Sequence, residues 1–167
     1  GIFSNEVYDE VEEDYIPTAV TMRNATVDID VSAGDSQAVY CFYGSITIED
    51  TVLTTTTSTT EESENYALYV DGDLLIKGDK TDVKHTGGIG FDADTITIEG
   101  GKVDVKSNDT ALLGYSGVTI SGGSSVSAST TAAMASLRSR RRRPSPCQTT
   151  RRPRRTRRPR LPGPPCR

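Results

Sequence analysis

The chain contains no tryptophan, one histidine, three phenylalanines and three cysteines in 167 residues. Cys41 stands alone in the body, and Cys147 and Cys166 sit in a basic tail, which excludes a disulfide framework and a metal-binding cysteine spacing. The solitary His85 follows Lys84 in what reads as a turn. It supports no Ser-His-Asp spacing, and no nucleophile motif surrounds any serine. No apolar run reaches the roughly 18–20 residues of a membrane span, so none is expected. A glycine-rich loop of the phosphate-cradling type is also missing. No signal peptide is present and the chain begins at Gly1, so a fragment, a processed product or a trimmed chain is expected.

Charge of each sign is absent from part of the chain. All 23 acidic residues lie between Glu6 and Asp109. Residues 1–135 hold six basic residues against those 23 acids, a charge near −17. Residues 136–167 hold 13 Arg with no Lys and no acid, a charge near +13. The Arg/Pro-rich tail has no apolar pattern with which to form a core, so disorder is expected there. The switch from Lys to Arg is abrupt. It falls in mid-repeat and reads as a GC-rich gene translated out of frame, against the alternative of a like-charge interaction arm. Such a run would bind nucleic acid through phosphates without specificity.

The body is rich in Thr, Ser, Gly, Val and Ile, which favours strands and turns. One pattern recurs: Gly44-Ser45-Ile46-Thr47-Ile48-Glu49, Gly72-Asp73-Leu74-Leu75-Ile76-Lys77, Asp94-Thr95-Ile96-Thr97-Ile98-Glu99 and Gly117-Val118-Thr119-Ile120. Ile46, Leu74, Ile96 and Val118 share a slot at spacings of 28, 22 and 22 residues. A small residue with an apolar partner precedes each (Ala38-Val39-Tyr40, Ala67-Leu68-Tyr69, Gly88-Ile89-Gly90, Ala111-Leu112-Leu113), and a shorter strand follows (Val52, Val83, Val103/Val105, Val126/Ala128). Three short alternating strands per repeat of about 22 residues predict one turn of a parallel β-helix. Alternation of period two excludes helical solenoids, and a β-sandwich would not repeat the same glycine-turn slots in register.

The expected fold is therefore all-β: a right-handed parallel β-helix of about five coils over residues 18–135. Residues 1–17 form an acidic lead-in or cap, and residues 136–167 the disordered tail. Thr54–Glu64 is the longest insertion, expected as a protruding loop. Thr131-Ala132-Ala133 reads as the start of an unfinished sixth unit.

Two constellations could carry function. Asp71 and Asp73 flank Gly72, and Asp92 and Asp94 flank Ala93 one coil later. Equivalent positions in adjacent coils stand about 4.8 Å apart. Stacked carboxylates at that spacing suit Ca²⁺, a hard cation that takes oxygen ligands, although Asp also simply favours turns. Tyr40 and Tyr69 share one slot, and Tyr43 and Tyr115 share another, three residues before the central strand. Such a row is a platform for sugar rings; the same rings could equally fill corners of the core. The lysines read as solvated outward charge that blunts β-surface aggregation.

The coils at Ala67–Gly78 and Asp94–Val103 resemble those of bacterial carbohydrate-binding-domain proteins. These are secreted or cell-surface proteins common in clostridia and related gut Firmicutes, with right-handed parallel β-helices similar in fold to family-9 pectate lyases. The resemblance covers residues 20–133. It implies a non-catalytic domain that binds acidic or cellulosic plant polysaccharide, with Ca²⁺ held by Asp71 and Asp73 and, on a looser match, Asp92 and Asp94. The expected function is non-enzymatic polysaccharide binding, with Tyr40, Tyr43, Tyr69 and Tyr115 as contact residues. A structural adhesin or spacer is the alternative, and a polysaccharide lyase is third.

Overall fold

The computed structural model describes residues 1–58 and 64–131. The domain limit at 135, the sixth unit beyond Thr131 and the 136–167 tail lie outside the described residues. All regular structure among the described residues is β-strand, in five coils. The first coil holds β1 (Ile2–Ser4), β4 (Thr18–Arg23) and β5 (Thr26–Val31), interrupted by a hairpin of β2 (Val7–Asp9) and β3 (Asp14–Ile16). The second holds β6 (Gln37–Cys41), β7 (Gly44–Glu49) and β8 (Val52–Thr57), and the third β9 (Tyr66–Val70), β10 (Asp73–Lys77) and β11 (Asp82–Gly87). In the fourth, β12 (Ile89–Glu99) runs unbroken across two faces and β13 (Lys102–Ser107) follows; in the fifth, β14 (Leu112–Ser121) and β15 (Ser125–Thr130) repeat that plan.

Every strand of the coils pairs in parallel with its copy in the next coil, which makes the chain a parallel β-solenoid. Three faces result. The first stacks Ile2, Val39, Leu68, Phe91 and Leu112 inward. The second stacks Val20, Ile46, Leu74, Ile96 and Val118, beside Met22, Ile48, Ile76, Ile98 and Ile120. The third stacks Val27, Leu53, Val83, Val103 and Val126. Period-two alternation sends these residues to a shared interior, where each large side chain fully removed from water contributes roughly 1.5–3 kcal/mol. Ile120 in the last rung is 49% exposed, whereas Ile48, Ile76 and Ile98 in the rungs before it are fully buried.

The corner between the second and third faces is left-handed in every coil. Asn24, Asp50, Gly78, Gly100 and Gly122 stack there with φ of 49°, 46°, 93°, 96° and 65°. Asn and Asp tolerate this region and glycine enters it freely, so the recurrent Gly-or-Asp slot of the repeat is a backbone requirement. At the corner between the first and second faces the demand is for space instead. A Cβ at Gly72 would stand 2.0 Å from the carbonyl oxygen of Gly44.

The structure corrects the expected register in four places. Leu53, not Val52, occupies the Val83 slot, and Val52 is 37% exposed. In the fourth coil Gly90-Phe91, not Gly88-Ile89, fills the small-then-apolar slot, since Phe91 pairs with Leu68. The expected Thr54–Glu64 loop is strand at its start, because Thr54–Thr57 complete β8, and its residues 59–63 lie outside the described residues. The lead-in is part of the solenoid at its start: Ile2–Ser4 pair with Val39–Cys41. The β2–β3 hairpin then projects as an insertion.

Candidate functional site

The outward slot of the first face stacks Phe3, Tyr40, Tyr69, Asp92 and Leu113 in successive rungs. Parallel in-register pairing forces the rings together. Tyr40 and Tyr69 stack with centroids 5.5 Å apart and planes 16° apart. Phe3 lies 6.0 Å from Tyr40, and Tyr66 meets Tyr69 edge-on at 5.3 Å. The tyrosines are half-buried, so the row presents an amphipathic surface to solvent.

Beside this row a cavity of about 190 Å³ is lined by Tyr69, Val70, Asp71, Asp92, Asp94 and Tyr115. A second, of about 230 Å³, is lined by Pro17, Tyr43, Gly44 and Asp71. Asp71 lines both, so the two cavities adjoin at the corner between the first and second faces, and together they are called the groove. Tyr43 in the second coil and Tyr115 in the fifth mark its ends, three rung spacings or roughly 14 Å apart. The hairpin closes the Tyr43 end, where Tyr15 lies 5.1 Å from Tyr43 and Tyr8 lies 5.2 Å from Tyr15.

Asp92 owes its place to the unbroken β12. The fourth coil has one residue fewer at this corner, and the register shifts between Ala93 and Thr95. Asp92 thereby stacks on Tyr69 and not on Asp71, as the matching Asp pairs had implied. It is 5% exposed. Burial pushes its carboxyl up to about 6; a hydrogen bond from Tyr115 opposes this and the charge of Glu64 adds to it. Burial likewise raises the Tyr69 hydroxyl, aided by Asp92 and Asp71. The Tyr66 hydroxyl is raised by burial and by its 2.9 Å hydrogen bond to Glu64.

Of the eight expected site residues, the structure brings Tyr43, Tyr69, Tyr115, Asp71, Asp92 and Asp94 to the groove and stacks Tyr40 on its margin. Asp73 is apart, on the second face, where it accepts a hydrogen bond from the Thr95 hydroxyl and stacks between Ser45 and Thr95. Asp94 accepts a hydrogen bond of 2.9 Å from Ser116 Oγ. Calcium needs six to eight converging oxygens. Among the described residues no three Asp, Glu, His or Cys side chains converge to hold a metal. With Asp73 turned away and Asp92 engaged by Tyr115, the four aspartates do not fit a calcium cage, and no step is assigned to that ion.

His85 is not in a turn. It lies in β11, inside the third face, stacked between Thr55 and Val105. Thr55 Oγ1 is 3.0 Å from its Nδ1. Comparison with protein-family models, with curated proteins and with solved structures finds no match. Among the described residues no helix is long and apolar enough to cross a membrane.

Proposed function

We propose that the chain is a non-catalytic polysaccharide-binding domain of a secreted or cell-surface bacterial protein, and that the groove of the first face holds the sugar chain. The observation that carries this reading is the stacked Tyr40–Tyr69 row beside a cavity walled by Tyr69 and Tyr115. Sugar C–H faces pack on aromatic rings, while hydroxyls donate to carboxylates such as Asp71 and Asp94. A groove that spans the second to the fifth coil suits a linear chain of several sugar units. The coil text shared with bacterial carbohydrate-binding-domain proteins supports the same reading. No lysine, arginine or histidine, the side chains that would neutralise the uronate of a lyase substrate, lines either cavity.

The test is affinity retention on insoluble polysaccharides with the wild type and Tyr69→Ala. Loss of an aromatic platform of this kind is expected to weaken binding by more than tenfold, as buried aromatic anchors do. The thermal midpoint should fall only slightly, since Tyr69 is half-buried. A wild type retained on no polysaccharide would identify a structural spacer instead.

A further inference from the structure

We propose that the groove selects sugars that carry an ammonium group, such as the glucosamine units of a polysaccharide, over uronate-bearing chains. The proposal rests on the reading of this groove as a sugar site and specifies its ligand class.

Three carboxylates, Asp71, Asp92 and Asp94, line the 190 Å³ cavity, and no basic side chain does. The absence extends over the whole face. The strands of the first face read Ile2–Ser4, Gln37–Cys41, Tyr66–Val70 and the leading parts of β12 and β14, without a lysine or arginine. All six basic residues of the described chain stand elsewhere: Arg23 and Lys77 on the second face, Lys80 in the turn beyond it, and Lys84, Lys102 and Lys106 on the third. Several already face acids: Arg23 and Lys77 meet Glu49 at 2.8 and 3.5 Å, Lys84 meets Asp82 at 2.9 Å, and Lys106 meets Asp104 at 3.7 Å. They cannot neutralise a bound uronate without leaving their own face.

The groove also contains what an ammonium group needs. Carboxylates accept charge-assisted hydrogen bonds from it. Tyr69 and Tyr115 line the same cavity, and an aromatic ring attracts a cation placed over its face through the ring quadrupole. An acidic saccharide would meet the carboxylates of Asp71 and Asp94, and Asp92 where it is ionised, with no cationic side chain to compensate. The acidic plant polysaccharide implied by the coil resemblance is therefore the ligand class that the groove's charge disfavours.

Calorimetric titration of the full chain with tetramers of glucosamine, N-acetylglucosamine and galacturonate, at pH 6.5 and low salt, tests this. The glucosamine tetramer should bind at least about tenfold more tightly than its acetylated counterpart, the worth of one hydrogen bond to a charged group. That advantage should shrink as salt rises. Asp94→Asn, and separately Asp71→Asn on the exposed rim, should each reduce the ratio of glucosamine to N-acetylglucosamine affinity severalfold, whatever either does to binding of the acetylated tetramer. Equal affinities for the two glucosamine forms, or tighter binding of galacturonate, would overturn the proposal while leaving a sugar site in place. If none of the three binds to the folded chain, the sugar reading of the groove falls, and this inference with it.

Discussion

Ile76→Asp is expected to unfold the chain, and Leu75→Asp, one residue away, to leave it folded. Ile76 is fully buried between Ile48 and Ile98 in the inward ladder of the second face. The substitution forfeits roughly 1.5–3 kcal/mol of apolar burial. It also places a carboxylate where no cation can reach it, at several kcal/mol more. The sum takes up most of the ~5–15 kcal/mol that holds a domain of this size together. Leu75 stacks outward between Thr47 and Thr97, so an aspartate there stays hydrated and costs less than about 1 kcal/mol. Urea titration followed by far-ultraviolet circular dichroism separates the outcomes. Similar midpoints for the two variants would mean that the two positions do not face opposite sides of the coil.

The second large effect is an acid-dependent loss of stability that His85→Val abolishes. His85 is 2% exposed, and burial pushes its imidazole from 6.5 down to about 4, with a hydrogen bond to the Thr55 backbone opposing. Between those values the unfolded chain binds a proton that the folded chain refuses. The contribution of His85 is thus complete above pH 6.5 and is lost as pH falls toward 4. Its full size is about 3 kcal/mol. Asp92 acts in the opposite direction. Its folded carboxyl titrates near 6 against 3.8 unfolded, so the folded state gains stability as pH falls through that window. Solvent in the open groove screens Asp92, which limits its effect to roughly 1–2 kcal/mol. Wild type should therefore lose a modest net amount between pH 7 and 4 from this pair. Asp92→Asn should steepen the loss and His85→Val should remove it. Valine is the natural replacement because Val105 holds the next position in the ladder. Parallel stability-against-pH curves for wild type and His85→Val would show that His85 is open to water in solution.

Where adjacent coils carry equal-length text, the fold was legible to the residue. Ile46, Leu74, Ile96 and Val118 do stack. Errors arose where alternation leaves two registers open. Val52-Leu53 are both apolar, so period two alone could not choose between them. Gly88-Ile89 and Gly90-Phe91 each offer a small residue before an apolar one. The choice fell to Phe91 because β12 needs no turn between faces and so uses fewer residues. Only the first strand of the first coil was hidden, because the hairpin separates β1 from β4 and a period cannot show through an insertion of that length.

The candidate site was legible for a simpler reason. Residues in one outward slot of a parallel coil must become neighbours, so the shared slot of Tyr40 and Tyr69 already predicted their stacking. Asp92 reaches the groove by a register that its match to Asp71 did not show. Its match to Asp71 was textual, and the one-residue contraction at Ala93 moved it onto Tyr69. His85 was misplaced because a histidine between Lys84 and Thr86 looks like exposed polar text. Its neighbours in the stack, Thr55 and Val105, are remote in sequence, and only the register makes the position an inward one.

The most direct test of the account is to map where a sugar oligomer sits. Two-dimensional NMR of the labelled chain, titrated with a glucosamine tetramer, reports every backbone amide at once. The account predicts shifts confined to Tyr40, Tyr43 and Gly44, Tyr69 through Asp71, Asp92 through Asp94 and Tyr115, a strip that crosses four coils. Shifts centred on the threonines of the second face, or on the lysines of the third, would contradict it.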